Sequence, residues 1–212
     1  DGNKPVITAD GQNYTFDAVL YATGRKPNTA NIGLENTDIT TNERGAIVVN
    51  DTCESSVPGV YAVGDVNGGP QFTYISLDDF RIVFGALTGN GQYTLKDRKN
   101  IPYTTFLTPP LARVGLTEED AINKGYTVKT KEMLVATMPR AHVNDYLKGA
   151  FKIVVNAENN LILGATLYSQ GAEELINLIK MAMDNNIPYT YFKNQIFTHP
   201  TMAENLNDLC NF

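Results

Sequence analysis

The chain has 212 residues, 42% of them hydrophobic and 19% charged, with a formal net charge of −6. That is apolar material enough for one large or two modest globular domains. The acidic balance excludes a general nucleic-acid or anionic-membrane surface, which needs a positive field to draw phosphate in, and no apolar stretch reaches the roughly 20 residues of a membrane span.

In chain order, residues 4–8 (KPVIT) and 14–23 (YTFDAVLYAT) read as strands around the DG turn at Asp10 and Gly11, the second ending in Gly24 and a polar RKPN turn. The chain opens at Asp1 without Met, in what reads as the middle of a sheet and with no charged-then-apolar signal segment, so a fragment of a longer protein is expected. AIVVN (46–50) and VYAV (60–63) are short β-branched runs. The latter, introduced by Pro58-Gly59 and closed by Gly64-Asp65, is expected as a buried strand with a site-facing end. Apolar residues at 75, 77, 80, 82–84 and 87 recur near the helical period, which predicts a helix over 75–88 whose N-terminus points back toward Gly64-Asp65. The polar run 93–100 reads as a linker, and a second unit starts at about residue 98.

That unit is expected to hold a strand at 101–107, a helix at 117–125 with Thr117 as N-cap and Gly125 as stop, and strands at 127–137, 150–156 and 161–168. A strongly amphipathic helix follows at about 171–185, and a last short helix from just after Pro200 to about Leu209. Strands clustered with flanking helices make this an α+β pattern.

Cys53 and Cys210 match no CxxC or metal-ligand spacing, which points to free thiols, a reducing cytoplasmic location and no metal site. His142, after Arg140, reads as a surface residue, and Met181 and Met183 on the amphipathic helix read as packing residues. Two motifs carry more. VYAVGD can be a strand that presents Gly64 and the Asp65 carboxylate to a ligand's hydroxyls, or a strand-ending turn with Asp65 as a solvated cap. THPTMAEN (198–205) can place His199 as an acid/base oriented by Glu204, or Thr201 and Glu204 can form a plain S/T-x-x-E capping box. Five residues along one helix set side chains about 140° apart, so His199 and Glu204 can pair only if Pro200 keeps His199 outside the helix.

ATGRKPN (22–28), PGVYAVGD (58–65) some thirty-five residues on, and the terminal HPTMAE (199–204) together closely resemble the class I pyridine nucleotide-disulfide oxidoreductases, the flavoprotein disulfide reductases. FLTPPLARVGLTEEDA, PRAHVNDYLKGAFKIVV and LILGATLYSQGAEELINLIKMAMD extend the resemblance over nearly the whole chain. TPPLARVG, MPRA, QIFTHPTMAENLNDL and QFTYISLDDFRIV look most like the bacterial subgroup linked to reactive-chlorine resistance and copper(II) reduction. The flavin-side loop departs from the dihydrolipoamide dehydrogenase pattern.

The resemblance implies an α+β C-terminal dimerisation domain, an antiparallel sheet with flanking helices, preceded by partial α/β FAD- and NAD(P)-binding segments. Residues 1–30 would end the NAD(P)-binding domain, 31–97 would return to the FAD-binding domain, and 98–212 would form the interface of a homodimer. Asp65, after Gly64, would take the ribityl chain of FAD, with Gln71, Phe72 and Thr73 beside the flavin and Gly24 at a second close approach. His199, oriented by Glu204 after a cis His-Pro bond, would be the general acid/base for a cysteine pair of the other subunit. That CxxxxC pair and both GxGxxG fingerprints are missing from this chain. The parent would therefore pass electrons from NAD(P)H through FAD to a disulfide, metal-ion or other small acceptor, while the fragment alone would retain no cofactor and be inactive. The alternative is a stand-alone dimerisation module.

Overall fold

The computed structural model describes residues 4–212; the opening Asp-Gly-Asn lies outside the described residues. The chain divides into two compact units, one up to Asp97 and one spanning Arg98–Phe212.

The first unit begins with a β-hairpin, β1 (Val6–Ala9) and β2 (Gln12–Thr15), paired antiparallel from Val6↔Thr15 to Ala9↔Gln12. Asp10 and Gly11 both have positive φ, 51° and 74°, as a two-residue hairpin turn matching the twist of its strands requires. The expected continuation of the second strand to residue 23 does not occur. Leu20 and Tyr21 are 89% and 85% exposed, since an extended run with no neighbouring strand among the described residues has nothing to bond or bury against.

VYAV likewise forms no sheet strand among the described residues. Tyr61 makes one antiparallel bridge to Glu54, Thr41 bridges Ile47, and Ala62 and Cys53 are buried beside half-open Val60 and Val63. Helix α1 runs Thr73–Thr88, two residues earlier than its apolar pattern predicts, and stops at Gly89, whose φ of 70° closes a left-handed cap. Its buried stripe is Ile75, Asp79 and Ile82.

The second unit is built on a five-stranded antiparallel sheet of order β3-β4-β7-β6-β5. The strands are β3 (Tyr103–Thr105), β4 (Leu111–Gly115), β5 (Val128–Leu134), β6 (Ala150–Asn156) and β7 (Ile162–Tyr168). Strand β4 is absent from the sequence expectations: Pro109-Pro110 immediately before it reads as a breaker, yet the strand starts just after the second proline. One sheet face carries Ala112, Val114, Phe151, Ile153, Val155 and Leu167, all under 3% exposed, so period-2 alternation sends these side chains into one core.

Three helices cover that core: α4 (Ala172–Asp184), α5 (Tyr189–Asn194) and α6 (Asn205–Leu209). In α4 the buried positions 172, 175, 176, 179, 182 and 183 follow the i, i+3, i+4, i+7 spacing, which is why this helix is legible in the sequence. Met183 packs in the core as expected, whereas Met181 points outward at 62% exposure. Helix α2 (Glu118–Asn123) has the expected Thr117 cap: Thr117 Oγ1 accepts from Asp120 N at 2.9 Å, and Asp120 Oδ2 reciprocates at the Thr117 amide. The short α3 (Pro139–Val143) starts on a proline at its first position, where the missing N–H costs nothing.

Glycine is obligatory at Gly149, at the entry to β6. Its φ is 122°, and an added Cβ would lie 1.8 Å from the Tyr168 carbonyl oxygen on β7.

Candidate functional site

The His199-Pro200 bond is cis, and the residues before it, 195–198, belong to no helix or strand. Helix α6 begins only at Asn205, four residues later than the sequence predicts. The intervening turn is what allows the pairing, because His199 and Glu204 are not on one helix. His199 Nδ1 and Glu204 Oε2 are 2.7 Å apart.

The plain alternative is present as well. Glu204 Oε1 accepts the Thr201 amide at 3.0 Å, and Thr201 Oγ1 accepts the Glu204 amide at 3.2 Å, which is a reciprocal capping box. One carboxylate therefore does both tasks, its two oxygens divided between the backbone turn and the imidazole. Asn205, 1% exposed, secures the same turn by donating its amide N–H groups to the carbonyls of Thr201 and Met202.

The hydrogen bond from His199, with the Thr201 amide behind it and burial working against both, holds the Glu204 carboxyl below the usual carboxylate range. Glu204 therefore stays ionised as a fixed acceptor. A proton on Nδ1 directed at that carboxylate leaves the Nε2 lone pair outside this bond, and the imidazole side chain is 69% exposed.

Cys53 and Cys210 are both fully buried. Burial pushes the Cys210 thiol up to about 12, against the pull of Lys131, far from a reactive value. His142 is on the surface as expected, its Nε2 2.8 Å from the Ala136 carbonyl.

In the first unit, Gly64 and Asp65 open a single helical turn (Gly64–Asn67), with Gly64 buried and Asp65 exposed. Gly64 is suited to this place by its φ of 73°, and an added Cβ would meet Ser76 Oγ of α1 at 2.6 Å. The sequence reading missed the residue that holds this turn. Asp79, completely buried on α1, accepts the Gly64 amide at 2.8 Å and the Asn67 side-chain amide at 2.9 Å. A signal existed, since 75, 79 and 82 are spaced i, i+4, i+7, and a carboxylate on a buried stripe needs hydrogen-bond partners.

Gln71, Phe72 and Thr73 lie where the chain enters α1; Phe72 is its N-cap and forms no side-chain cap, and no acidic residue occupies the first turn. Gly24 has a φ of 95° with nothing within 4 Å of an added Cβ. Among the described residues no cluster of three His, Cys, Asp or Glu could hold a metal ion, and no helix is long and apolar enough to cross a membrane.

The antiparallel sheet with its helical cover and terminal His-Pro turn occupies the region, residues 101–210, that matches the family model "Pyridine nucleotide-disulphide oxidoreductase, dimerisation domain". Residues 1–79 match the model "Pyridine nucleotide-disulphide oxidoreductase". The chain belongs to this family of class I disulfide oxidoreductases.

Among curated proteins it is 46% identical over 207 residues to the probable pyridine nucleotide-disulfide oxidoreductase RclA of Escherichia coli (strain K12), covering 98% of this chain and 47% of that protein. It is 36% identical over 202 residues to a mercuric reductase of Staphylococcus aureus, covering 94% and 37%. The solved structure described as the HOCl-induced flavoprotein disulfide reductase RclA from Escherichia coli superposes with a TM-score of 0.94 at 45% identity, covering 99% of this chain and 48% of that one. The chain thus spans about half the length of the first of these relatives.

Proposed function

We propose that this chain is the C-terminal part of an FAD-dependent NAD(P)H oxidoreductase of the disulfide-reductase type, cytoplasmic and homodimeric through residues 98–212. The observation that carries the reading is the His199–Glu204 pair: an imidazole held at Nδ1 by an ionised carboxylate, on a side chain largely open to solvent. With Cys210 buried and its thiol pushed up to about 12, the thiol that His199 serves would lie elsewhere. A cysteine pair of the partner subunit fits the family. His199 would take up the thiol proton at Nε2 and return it to the departing sulfur, keeping the attacking cysteine as thiolate.

The residues of the first unit fit the flavin the family implies. Asp65 is exposed on a turn that Asp79 holds rigid, and α1 begins without a side-chain cap or an acidic residue, so its N-terminal end is free to face electron-rich groups. When bound, FAD would relay two electrons from the nicotinamide to the cysteine pair. Asp65 would accept ribityl hydroxyls, and Gln71, Phe72 and Thr73 would flank the ring. Residues 1–30 and 31–97 would be the closing parts of the NAD(P)- and FAD-binding domains. The acceptor would be a disulfide or a metal ion, the latter favoured by the mercuric reductase relatives.

Two substitutions in the full-length enzyme test this. His199→Ala should slow thiol-dependent acceptor reduction by roughly 100-fold or more while flavin reduction by NAD(P)H continues; a wild-type steady-state rate would reduce the Thr201–Glu204 turn to a plain cap. Asp65→Ala should lower the flavin retained per protomer through gel filtration, and full flavin content would remove Asp65 from the site.

A further inference from the structure

His199 is reached along the chain by two arms, and the structure holds them by different means. The downstream arm, Pro200 to Glu204, is fixed by the capping box and by Asn205. The upstream arm, 195–198, has no regular secondary structure, and Ile196 within it is 92% exposed. Its local ties are the half-buried Phe197, which packs on the core, and the Thr198 carbonyl, which accepts from Thr201 Oγ1 at 2.7 Å.

At the start of this arm is one side chain from α6. Asn207 Nδ2 lies 2.7 Å from the carbonyl oxygen of Phe192, 2.9 Å from that of Gln195 and 3.3 Å from that of Lys193. Phe192 and Lys193 are in the last turn of α5 and Gln195 is its C-cap; the Phe192 carbonyl also accepts the Gln195 amide at 3.3 Å, the weak bond of a helix end. A single amide group, with two N–H donors, thus ties the end of α5 to α6. Helix α6 is itself anchored, through buried Leu206 and Leu209 and through Lys131, whose ammonium donates to the Asp208 and Asn211 carbonyls at 2.7 and 2.6 Å.

We infer that Asn207 is a positioning residue for His199: it fixes the upstream arm to the same helix whose leading turn carries Glu204, so that both arms of the imidazole are referred to one rigid element. The inference rests on the acid/base reading of His199 for its catalytic consequence, but not for its structural one. An amide at this position is needed because it offers two donors and no charge. A carboxylate would repel the three carbonyl oxygens, and an apolar side chain would remove the donor they share, leaving Phe192 only the long bond from the Gln195 amide. Loss of the tie lets the His199 backbone drift, and displacements of about 1 Å at a catalytic group cost up to about 100-fold in rate.

The test uses the full-length homodimer with Asn207→Leu, which is similar in volume and lacks donors, and with Asn207→Gln, which keeps the donors on a longer stem. Hydrogen–deuterium exchange of peptides covering 192–203 should accelerate in Asn207→Leu and return toward wild type in Asn207→Gln. In rapid mixing, reoxidation of the NAD(P)H-reduced enzyme by 5,5′-dithiobis(2-nitrobenzoate) should slow roughly tenfold or more in Asn207→Leu, with flavin reduction by NAD(P)H unchanged. The same substitution made on a His199→Ala background should have no further effect on reoxidation.

Wild-type exchange in 192–203, or an equal loss of reoxidation rate with and without His199, overturns the inference. Should Asn207→Leu fail to fold, Asn207→Asp, with the same shape but no donors, gives the same readings. If His199→Ala itself reoxidises at the wild-type rate, the acid/base reading fails, and the exchange measurement still decides whether Asn207 holds the arm.

Discussion

At the scale of single residues, Glu204 joins structure to chemistry. Its Oε1 closes the turn at Thr201 and its Oε2 orients His199, so turn geometry and imidazole direction cannot vary independently. Because its folded pKa lies below the ordinary value of 4.5, the stabilisation it brings is complete above that value and is lost as pH falls through the folded pKa. Glu204→Gln should therefore lower the urea midpoint near neutral pH, and the gap to wild type should close as pH drops below about 4.5. Urea titrations at a series of pH values decide this; a gap constant with pH would mean that the carboxylate charge contributes nothing. The pairing of His199 with Glu204 was legible through the resemblance of HPTMAE to the family's terminal motif, since spacing alone left a plain capping box equally open. Asp79 was not read, because its partners, the Gly64 amide and Asn67, are brought to it only when α1 packs on the preceding loop.

At the scale of elements, legibility followed length and periodicity. The 13-residue α4, with its full buried stripe, falls within one or two residues of its expected bounds, as do β6 and β7. The five- and six-residue helices α3 and α5 were not foreseen, since one turn and a half gives too few apolar positions to define a period. The last helix was expected from just after Pro200 but starts at Asn205, because the side-chain bonds of Thr201 and Glu204 hold the intervening residues in a turn. The β6–β7 pairing depends on Gly149, where a methyl group would collide with the Tyr168 carbonyl oxygen. Gly149→Ala should cost about 2 kcal/mol or more, through positive φ and backbone collision together. Thermal unfolding of the variant checks this, and a melting temperature within a degree of wild type would show that the β6 entry can shift to make room.

At the scale of the whole molecule, many large apolar side chains are left in water. In the second unit Ile196, Phe106 and Val143 are 92%, 78% and 65% exposed. The unit matches the dimerisation-domain model, which makes Ile196 a position at which an interface can be tested. Ile196 lies three residues before His199, on the arm that must approach a partner if His199 serves a cysteine there. Ile196→Asp in the full-length protein should raise the dimer dissociation constant at least tenfold, since a charge desolvated in an apolar interface lacks a partner. Analytical ultracentrifugation over a dilution series measures it, and an unchanged constant would place Ile196 outside the interface.

The sequence by itself determined the family, the α+β class of the second unit, the DG hairpin turn, the α2 cap and the His199–Glu204 pairing. Each of these depends on residues near one another in the chain or on a motif of fixed spacing. Only the tertiary structure decided which expected strands find neighbours, that Gly64 gives way to Ser76 and Asp79, that Glu204 serves turn and imidazole at once, and that Asn207 reaches back to α5. These depend on contacts between segments whose approach no local pattern encodes, because hydrogen-bond donors and β-strands specify that they need partners without specifying which.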